Sequence, residues 1–260
     1  FDHCGPYQHY CRVRGVTPET LPSWEQIPAV PTEVFKSVDL CTFDPATALA
    51  TFETSGTTLG TRGRLHLRRT DTYRACLGPW LDGLLLPDRT RPRILALAPS
   101  WQDDLVSSLS FMLGWAVDRR GATGSRFLWR DGQPDLAGAI AALRRCSDAG
   151  VPVLLMGTAR AFESLLELGL AGGRGIRLPK GSRLMETGGL KGSDQHLEAG
   201  ALRRALAGAL ALPEATIVSE YGMTELASQG YHPVLRASFD DGARGRFVSP
   251  DQRRLFAFPP

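Results

Sequence analysis

Five hydroxyl side chains, three glycines and two arginines are concentrated between Thr54 and Arg64. Glycine lets backbone N–H groups approach an anion closely, hydroxyls donate hydrogen bonds to phosphate oxygens, and the planar guanidinium of arginine matches phosphate geometry. The segment lacks the GxxxxGK[ST] pattern of a Walker loop. Its composition predicts a phosphate-binding loop, although a flexible surface loop has a similar composition. The predicted phosphate ligands are Thr54, Ser55, Gly56, Thr57, Thr58, Gly60 and Arg62.

A second candidate segment, Glu186–Gly192, follows a short predicted strand. Gly188 and Gly189 have no side chains at the strand end, which permits close approach of a flat or extended ligand. Lys191 follows them and is one of only three lysines in the chain. A lysine ammonium is a compact charge that suits a carboxylate or an α-phosphate, so Lys191 is a predicted catalytic residue. The alternative is an ordinary turn with a solvated lysine.

The third candidate segment, Ser219–Glu225, also lies just past a predicted strand. Tyr221 has an aromatic ring that can stack on a nucleotide base, and Thr224 has a hydroxyl that can bond a phosphate. Glu225 is a hard oxygen ligand of the kind that Mg²⁺ prefers. The three segments together predict a site for a nucleotide with magnesium. The alternative for this segment is a polar turn between a strand and a helix.

Strand and helix patterns alternate four times after residue 90, which predicts an α/β fold with a mainly parallel sheet. Ligands of such folds bind on the loops outside the carboxyl ends of the strands, where the three segments are expected. Residues 1–50 are interrupted by prolines and are predicted to be an irregular segment wrapped on the core. The predicted strands are 93–98, 125–129, 151–156, 183–186 and 215–219, and the predicted helices are 134–149, 158–170 and 193–212.

Composition excludes several classes of protein. The chain has 260 residues, of which 43% are hydrophobic and 22% charged, so a sizeable core can form and the chain is not disordered. No apolar run approaches the ~20 residues of a membrane span. The arginines are scattered rather than gathered into a stripe, which argues against a nucleic-acid partner. Five cysteines without a CxxC pattern and without a signal peptide predict reduced thiols in a cytoplasm, and the arginine bias predicts a GC-rich bacterial source.

Two of these segments resemble motifs of the adenylate-forming superfamily, the acyl-CoA synthetases and related ligases. Thr54–Thr58 is similar to the phosphate-binding signature of that superfamily, and Tyr221–Glu225 is similar to its YGxTE motif. The chain is most similar to the acyl-protein synthetases of bacterial bioluminescence operons. Three features carry that resemblance, which runs in order from about residue 20 to 235: Ile27–Pro31 followed by Phe35–Lys36, Thr187–Gly192 and Glu220–Leu226.

The resemblance implies an enzyme in which a carboxylic acid attacks the α-phosphate of Mg·ATP and the resulting acyl-adenylate passes its acyl group to a thiol. ATP and Mg²⁺ are the implied cofactors, and the implied fold is the large N-terminal domain with layered, mainly parallel sheets. The resemblance also implies roles by position. The β- and γ-phosphates are held by Thr54, Ser55, Thr57 and Thr58, and the adenine and acyl pocket is lined by Gly188 and Gly189. Tyr221 packs on adenine with Glu220 and Gly222 beside it, Thr224 contacts the α-phosphate and Glu225 binds magnesium.

The resemblance indicates the substrate and the acyl acceptor less closely than it indicates the reaction. A fatty or aromatic acid is the expected substrate, with Trp101, Gly188 and Met223 as predicted contacts. The acceptor is a protein cysteine, an acyl-carrier protein or CoA, and a reductase is a further possible partner. Leu59 interrupts the phosphate loop, and its cations are Arg62 and Arg64 rather than a lysine. No later superfamily motif is identifiable before Pro260, so the chain is interpreted as the large domain without a C-terminal small domain.

Those departures leave two alternatives open. One is an ATP-independent acyltransferase between CoA and a carrier protein on the same fold. The other is a degenerate homologue without catalytic activity that binds a nucleotide or a partner protein.

Overall fold

The computed structural model describes residues 1–54, 61–170, 175–188 and 199–244. Its contacts divide the chain into two compact units. The first unit comprises Phe1–Tyr73, Leu105–Ser108 and Met223–Ala227, and the second contains the remaining described residues. In the part of the chain that is described, no helix is both long and apolar enough to cross a membrane.

The first unit combines short helical turns with one β-hairpin. Helix α1 (Gly5–Val13) has Pro6 in its first turn, where a proline is tolerated because the N–H it lacks would have no helical partner. The sequence predicts an irregular segment over residues 1–50, whereas the structure contains this helix. The hairpin consists of β1 (Ala50–Glu53) and β2 (Arg64–Leu67), which are antiparallel. Three 3₁₀ turns precede it, at Trp24–Gln26, Thr32–Lys36 and Pro45–Thr47.

The rest of the chain alternates strands and helices. In chain order its elements are α2 (Asp71–Leu84), β3 (Arg93–Leu97), α3 (Ser108–Arg120), β4 (Arg126–Phe127), β5 (Trp129–Arg130), β6 (Gln133–Pro134), α4 (Leu136–Asp148), β7 (Val153–Thr158), α5 (Ala159–Leu165), β8 (Arg183–Thr187), α6 (Ala199–Leu210), β9 (Ile217–Met223), β10 (Ser228–Tyr231) and α7 (Val234–Arg244).

Six of these strands form one sheet with the order β10-β9-β8-β7-β3-β4. The pairs β3–β4, β3–β7, β7–β8 and β8–β9 are all parallel, so their carboxyl ends meet at one edge of the sheet. The predicted α/β fold with a mainly parallel sheet is therefore confirmed. Strands β5 and β6 form a separate antiparallel pair.

The central strands are apolar because both of their faces are covered, as is usual in parallel sheets. Strands β3 and β7 are buried along almost their whole lengths. They pack with the leucine-rich sides of α4, α5 and α6 in one core cluster. Each fully buried leucine in such a cluster contributes about 1.5–3 kcal/mol to the free energy of folding.

Side-chain caps set where two of the helices begin. The Asp135 carboxylate accepts a hydrogen bond from the Gly138 N–H at 2.8 Å, and the Thr158 hydroxyl accepts one from the Ala161 N–H at 3.2 Å. Such caps stabilise a helix by about 1 kcal/mol. Because Thr158 is also the last residue of β7, its cap makes the chain turn directly from strand to helix at the carboxyl edge of the sheet.

Candidate functional site

The predicted phosphate segment begins and ends at the hairpin of the first unit. Thr54 follows β1, and its N–H donates to the Gly63 carbonyl at 2.9 Å. In return the Gly63 N–H donates to the Thr54 hydroxyl oxygen, also at 2.9 Å. These two bonds close the base of the segment. The other predicted hydroxyl and glycine ligands lie outside the described residues: Ser55, Gly56, Thr57, Thr58 and Gly60.

Arg62 immediately precedes Gly63 and is exposed to solvent. Its guanidinium is 3.3 Å from the carboxylate of Glu53, the last residue of β1. An exposed pair of this kind contributes at most about 1 kcal/mol and separates readily. Arg62 therefore holds a weak contact that a phosphate is able to replace.

Two segments distant in sequence lie against this hairpin within the first unit. The Glu53 N–H donates to the Val106 carbonyl at 2.8 Å, which places Leu105–Ser108 beside β1. The Ser108 and Thr224 hydroxyls share a hydrogen bond of 3.3 Å, and the turn Thr224–Leu226 contacts β2. The predicted phosphate residues at the base of the loop and in the YGMTE motif therefore belong to one compact unit.

Glu225 and Met223 lie in this same turn region and are both half-buried. Among the described residues, the Glu225 carboxylate has no ion-pair partner, so its oxygens remain available to a cation. No group of three or more His, Cys, Asp or Glu side chains in the described ranges is arranged to hold a metal. One carboxylate together with the oxygens of a nucleotide's phosphates is nevertheless a usual set of Mg²⁺ ligands, so Glu225 fits the predicted role.

In the second unit, the ends of β8 and β9 carry a network of carboxyl and hydroxyl groups. The parallel register sets Glu186 beside Ser219 and Thr187 beside Glu220. The Thr187 hydroxyl donates to the Glu220 carboxyl, and the Ser219 hydroxyl donates to the Glu186 carboxyl. The Arg203 guanidinium on α6 donates to the Ser219 hydroxyl at 2.8 Å.

Burial shifts the protonation of both carboxyls. The pKa of Glu220 is raised to about 7, mainly because burial disfavours its charged form; the Thr187 hydrogen bond opposes this effect and the nearby Glu186 carboxyl adds to it. Burial also raises the pKa of Glu186, against the opposing effects of the Ser219 hydrogen bond and the Arg203 charge. A protonated carboxyl can donate as well as accept, so this network changes its hydrogen-bonding capacity near neutral pH.

Two glycines in this region have little steric freedom for a side chain. Gly188, the residue after β8, has a φ of 77°, in the left-handed region that side chains disfavour. A Cβ atom at Gly222 would lie 2.7 Å from a carboxyl oxygen of Glu220. The predicted strand 215–219 extends further than expected, because β9 continues to Met223 and so includes Glu220–Met223 of the segment predicted to be a loop.

Tyr221 projects from this strand with 44% of its surface exposed, which is unusual for a large aromatic side chain. Its ring is therefore accessible to a ligand, as the predicted contact with adenine requires. The other predicted members of the second segment, Gly189 and Lys191, lie outside the described residues.

Trp101 lies on the loop after β3, at the carboxyl edge of the sheet. It lines a cavity of about 180 Å³ together with residues of α2, α3 and β4. The Trp101 and Phe111 rings meet edge to face with centroids 4.9 Å apart, and the Arg74 guanidinium lies 5.3 Å from the Phe111 centroid. This cavity lies wholly within the second unit.

Sequence reasoning missed Ser108, Glu186 and Arg203 as members of these networks. For Glu186 a signal exists, because it is a carboxylate at the end of an apolar strand and two positions before the predicted glycine pair. Ser108 and Arg203 stand in helices that have no distinctive local pattern. Their partners come from residues 116 and 16 positions away, which periodicity does not reveal.

The chain has the fold of the adenylate-forming enzymes. An open conformation of 2-hydroxyisobutyryl-CoA ligase in complex with 2-HIB-AMP and CoA superposes with a TM-score of 0.57 and 15% identity, covering 88% of this chain and 48% of the ligase. The same ligase in the thioesterification state gives a TM-score of 0.53 and 17% identity, again over 88% and 48%. The chain thus spans about half the length of that ligase. No protein-family model matches the chain, and no curated protein matches its sequence.

Proposed function

We propose that this chain binds Mg·ATP and activates a carboxylic acid as an acyl-adenylate, whose acyl group then passes to a thiol. The observation that carries the proposal is that Thr54, at the base of the predicted phosphate loop, and the hydrogen-bonded hydroxyls of Ser108 and Thr224 come from distant parts of the sequence and belong to one compact unit. The fold that the chain shares with 2-hydroxyisobutyryl-CoA ligase supports the proposal. The motif resemblance to acyl-protein synthetases stays a prediction.

The first unit is proposed to bind the phosphates. The Thr54 and Thr224 hydroxyls and the Arg62 guanidinium would donate to phosphate oxygens, and Glu225 would hold the magnesium ion. The ion, when bound, neutralises negative charge on the phosphates. Phosphoryl-type displacement gains most of its acceleration from positioning and charge neutralisation, which these residue types provide.

The base is proposed to bind at the end of β9. Tyr221 offers an exposed ring for adenine, with Glu220 and Gly222 beside it. The acid carboxylate then attacks the α-phosphorus, and pyrophosphate leaves with the electron pair of the broken bond. In the second step a thiolate attacks the acyl carbon, and AMP leaves. The proposed source of that thiol is CoA, a carrier protein or a protein cysteine.

The test of activity uses the natural full-length protein with ATP, Mg²⁺ and a panel of fatty, hydroxy and aromatic acids. We expect acid-dependent pyrophosphate release and trapping of the acyl group as a hydroxamate. Turnover of an acyl-CoA without ATP would favour the acyltransferase alternative instead. Nucleotide binding without product from any acid would favour the non-catalytic alternative.

Variants test the residue roles. Glu225→Gln should lower the rate about tenfold or more and raise the Mg²⁺ concentration needed for half-maximal rate, because a neutral amide is a poorer magnesium ligand. Glu214→Gln is the matched control, since Glu214 is exposed in a 3₁₀ turn, and it should leave the rate unchanged. Equal rates and equal Mg²⁺ dependence in the parent and Glu225→Gln would remove Glu225 from the site.

Thr224 is tested against its own hydrogen-bond partner. Thr224→Val removes the hydroxyl while keeping the shape of the side chain, and Ser108→Ala removes only the bond between the two hydroxyls. If the Thr224 hydroxyl contacts a phosphate, Thr224→Val should raise the KM for ATP more than Ser108→Ala does. Equal effects of the two substitutions would show that Thr224 acts only through Ser108.

A further inference from the structure

Gln229 on β10 is buried with an unpaired amide. Only 2% of the residue is exposed, and among the residues that the structure describes neither its Oε1 nor its Nε2 atom has a hydrogen-bond partner. Buried polar groups in folded proteins are almost always paired, because an unpaired one loses its bonds to water without replacement. An orphaned amide of this kind points to a partner other than the residues that the structure describes.

The strand geometry places this amide near the carboxyl edge of the sheet. Strand β10 returns beside β9, with the His232 N–H donating to the Ser219 carbonyl at 2.9 Å. Gln229 precedes His232 by three residues, which is about 10 Å of strand and brings it level with the last residues of β9. Ligands of parallel α/β sheets bind at this edge.

The side chain also lies on a defined face of the sheet. Residues two apart in a strand share a face, so Gln229 lies on the same side as Tyr231. The Tyr231 hydroxyl is 3.7 Å from the sulfur of Met112, which is on α3. The Gln229 amide is therefore directed to the face of the sheet that α3 covers, in the second unit.

We propose that the Gln229 amide binds a polar group on the tail of the acid substrate. This inference rests on the proposed function, and it assigns the substrate class as acids that carry a hydroxyl, carbonyl or amide group in addition to the reacting carboxylate. A glutamine amide offers an acceptor oxygen and two N–H donors, so it can pair with each of these groups.

Selectivity follows from the cost of leaving the amide unpaired. A plain fatty acid of the same length gives the oxygen and nitrogen of the Gln229 amide no hydrogen-bond partner. A site built to hydrogen-bond a substrate group discriminates strongly against analogues that lack the group. The unsubstituted acid is therefore the disfavoured member of each pair of otherwise equal acids.

The central experiment compares Gln229→Met with the parent in the natural full-length protein. The probes are matched pairs of acids: butyric with 3-hydroxybutyric acid, hexanoic with 3-oxohexanoic acid, and benzoic with 4-hydroxybenzoic acid. For at least one pair the parent should favour the polar acid in kcat/KM by about tenfold or more, and Gln229→Met should lose or reverse that preference.

Gln133→Met is the matched control, because Gln133 is an exposed residue of the β5–β6 hairpin, and it should keep the preference of the parent. A preference for the unsubstituted acid in every pair, or one that Gln229→Met leaves unchanged, would overturn the inference.

Thermal unfolding without ligand provides a readout that is independent of turnover. If the amide is unpaired in the free protein, Gln229→Met should unfold at an equal or higher temperature than the parent, since it removes an unsatisfied polar group. A melting temperature lower by several degrees would show that the amide is bonded within the protein and would overturn the inference.

Binding separates a failure of this inference from a failure of the proposed function. Calorimetric titration with the same acid pairs measures the preference without adenylation. If the parent turns over no acid, the proposed function fails, whereas the polar preference in binding and its loss in Gln229→Met still support the role of Gln229. Binding that is equal for both members of every pair would overturn that role.

Discussion

Two polar clusters, one around Asp39 and one around Glu186 and Glu220, place their carboxyl groups in opposite electrostatic environments. In the first unit, Asp39 is one-third exposed and lies 3.0 Å from the His66 imidazole and 3.1 Å from the Arg64 guanidinium. Its pKa is lowered, first by the hydrogen bond to His66, against a smaller effect of burial and with help from the Arg64 charge. In the second unit, Glu186 and Glu220 are mostly buried and their pKa values are raised.

The difference shows that exposure and partners, rather than residue type, decide the charge state. Asp39 is ionised at neutral pH and joins the hairpin that bears the predicted phosphate loop through an exposed ion pair with Arg64 and a hydrogen bond with the His66 imidazole. Glu220 has a hydroxyl partner instead of a cation, so burial dominates and the carboxyl keeps its proton to about pH 7. The second unit is consequently the part of the molecule where neutral pH changes the charge of a buried group.

The second unit also shows what a buried ion needs in order to stay charged. The Arg183 side chain is only 2% exposed, yet its guanidinium bonds both carboxylate oxygens of Asp88, at 3.0 and 2.6 Å. It also donates to the carbonyls of Leu85 and Gly181. Although burial pushes the pKa of Asp88 upward, the hydrogen bonds from Arg183 and Thr90 outweigh it and the pKa is lowered.

The largest expected effect is the loss of this buried ion pair. Arg183→Met should lower the free energy of unfolding by about 3–5 kcal/mol, because it leaves the Asp88 carboxylate and two carbonyls without their partner. Urea unfolding at pH 7 measures the change. The control is Arg69→Met, whose partner Asp71 is also 2.6 Å away but whose pair is 77% and 65% exposed. It should cost less than about 1 kcal/mol, and equal losses in the two variants would contradict the contrast between buried and exposed pairs.

The next effect is the pH dependence that Glu220 gives to stability. Its folded pKa is raised to about 7 from 4.5, so the folded state binds the proton more tightly than the unfolded state does. The contribution of this group to stability is therefore fully present below pH 4.5 and is lost as the pH rises towards 7, by about 3 kcal/mol. Glu220→Gln keeps the oxygen that accepts from Thr187 and removes the titration.

Urea unfolding of the parent and Glu220→Gln between pH 4.5 and 8 tests this expectation. The variant should gain stability relative to the parent as the pH rises, and the two should differ least at pH 4.5. Glu214→Gln, at an exposed position, should follow the parent throughout. A constant difference between the parent and Glu220→Gln across this range would show that Glu220 titrates normally.

The sequence predicts the elements whose local signals are complete. Strand β3 is an apolar run between prolines, and α4 has an aspartate cap, an apolar side and Gly150 just past its end, with a φ of 64°. Neither α1 nor α2 is predicted from the sequence, and each of these helices contains a proline. Pro6 stands in the first turn of α1, where it is tolerated, and α2 contains Pro79 within its length because tertiary packing outweighs local propensity.

Some features of the candidate site are also predictable from local sequence and others are not. The residue types at the strand ends predict which groups handle phosphates and a cation, since these depend on composition. The pairing of Ser108 with Thr224 and the raised pKa of Glu220 depend on contacts between distant segments and on burial, which composition does not encode. Gln229 was missed for the same reason, because an unpaired amide is recognised only when its surroundings are known.

The smallest effect is expected at Asp39 in the first unit. Because its folded pKa lies below the ordinary 3.8, its contribution is present above pH 3.8 and is lost as the pH falls through the lower pKa of the folded state. Asp39→Asn should cost at most about 1 kcal/mol at pH 7, and its difference from the parent should shrink below pH 3.8. Asp131→Asn is the control, since Asp131 is exposed in a turn whose left-handed backbone asparagine also adopts, and it should change little. A loss above about 2 kcal/mol in Asp39→Asn would place Asp39 with the buried charges of the second unit and remove the contrast between the clusters.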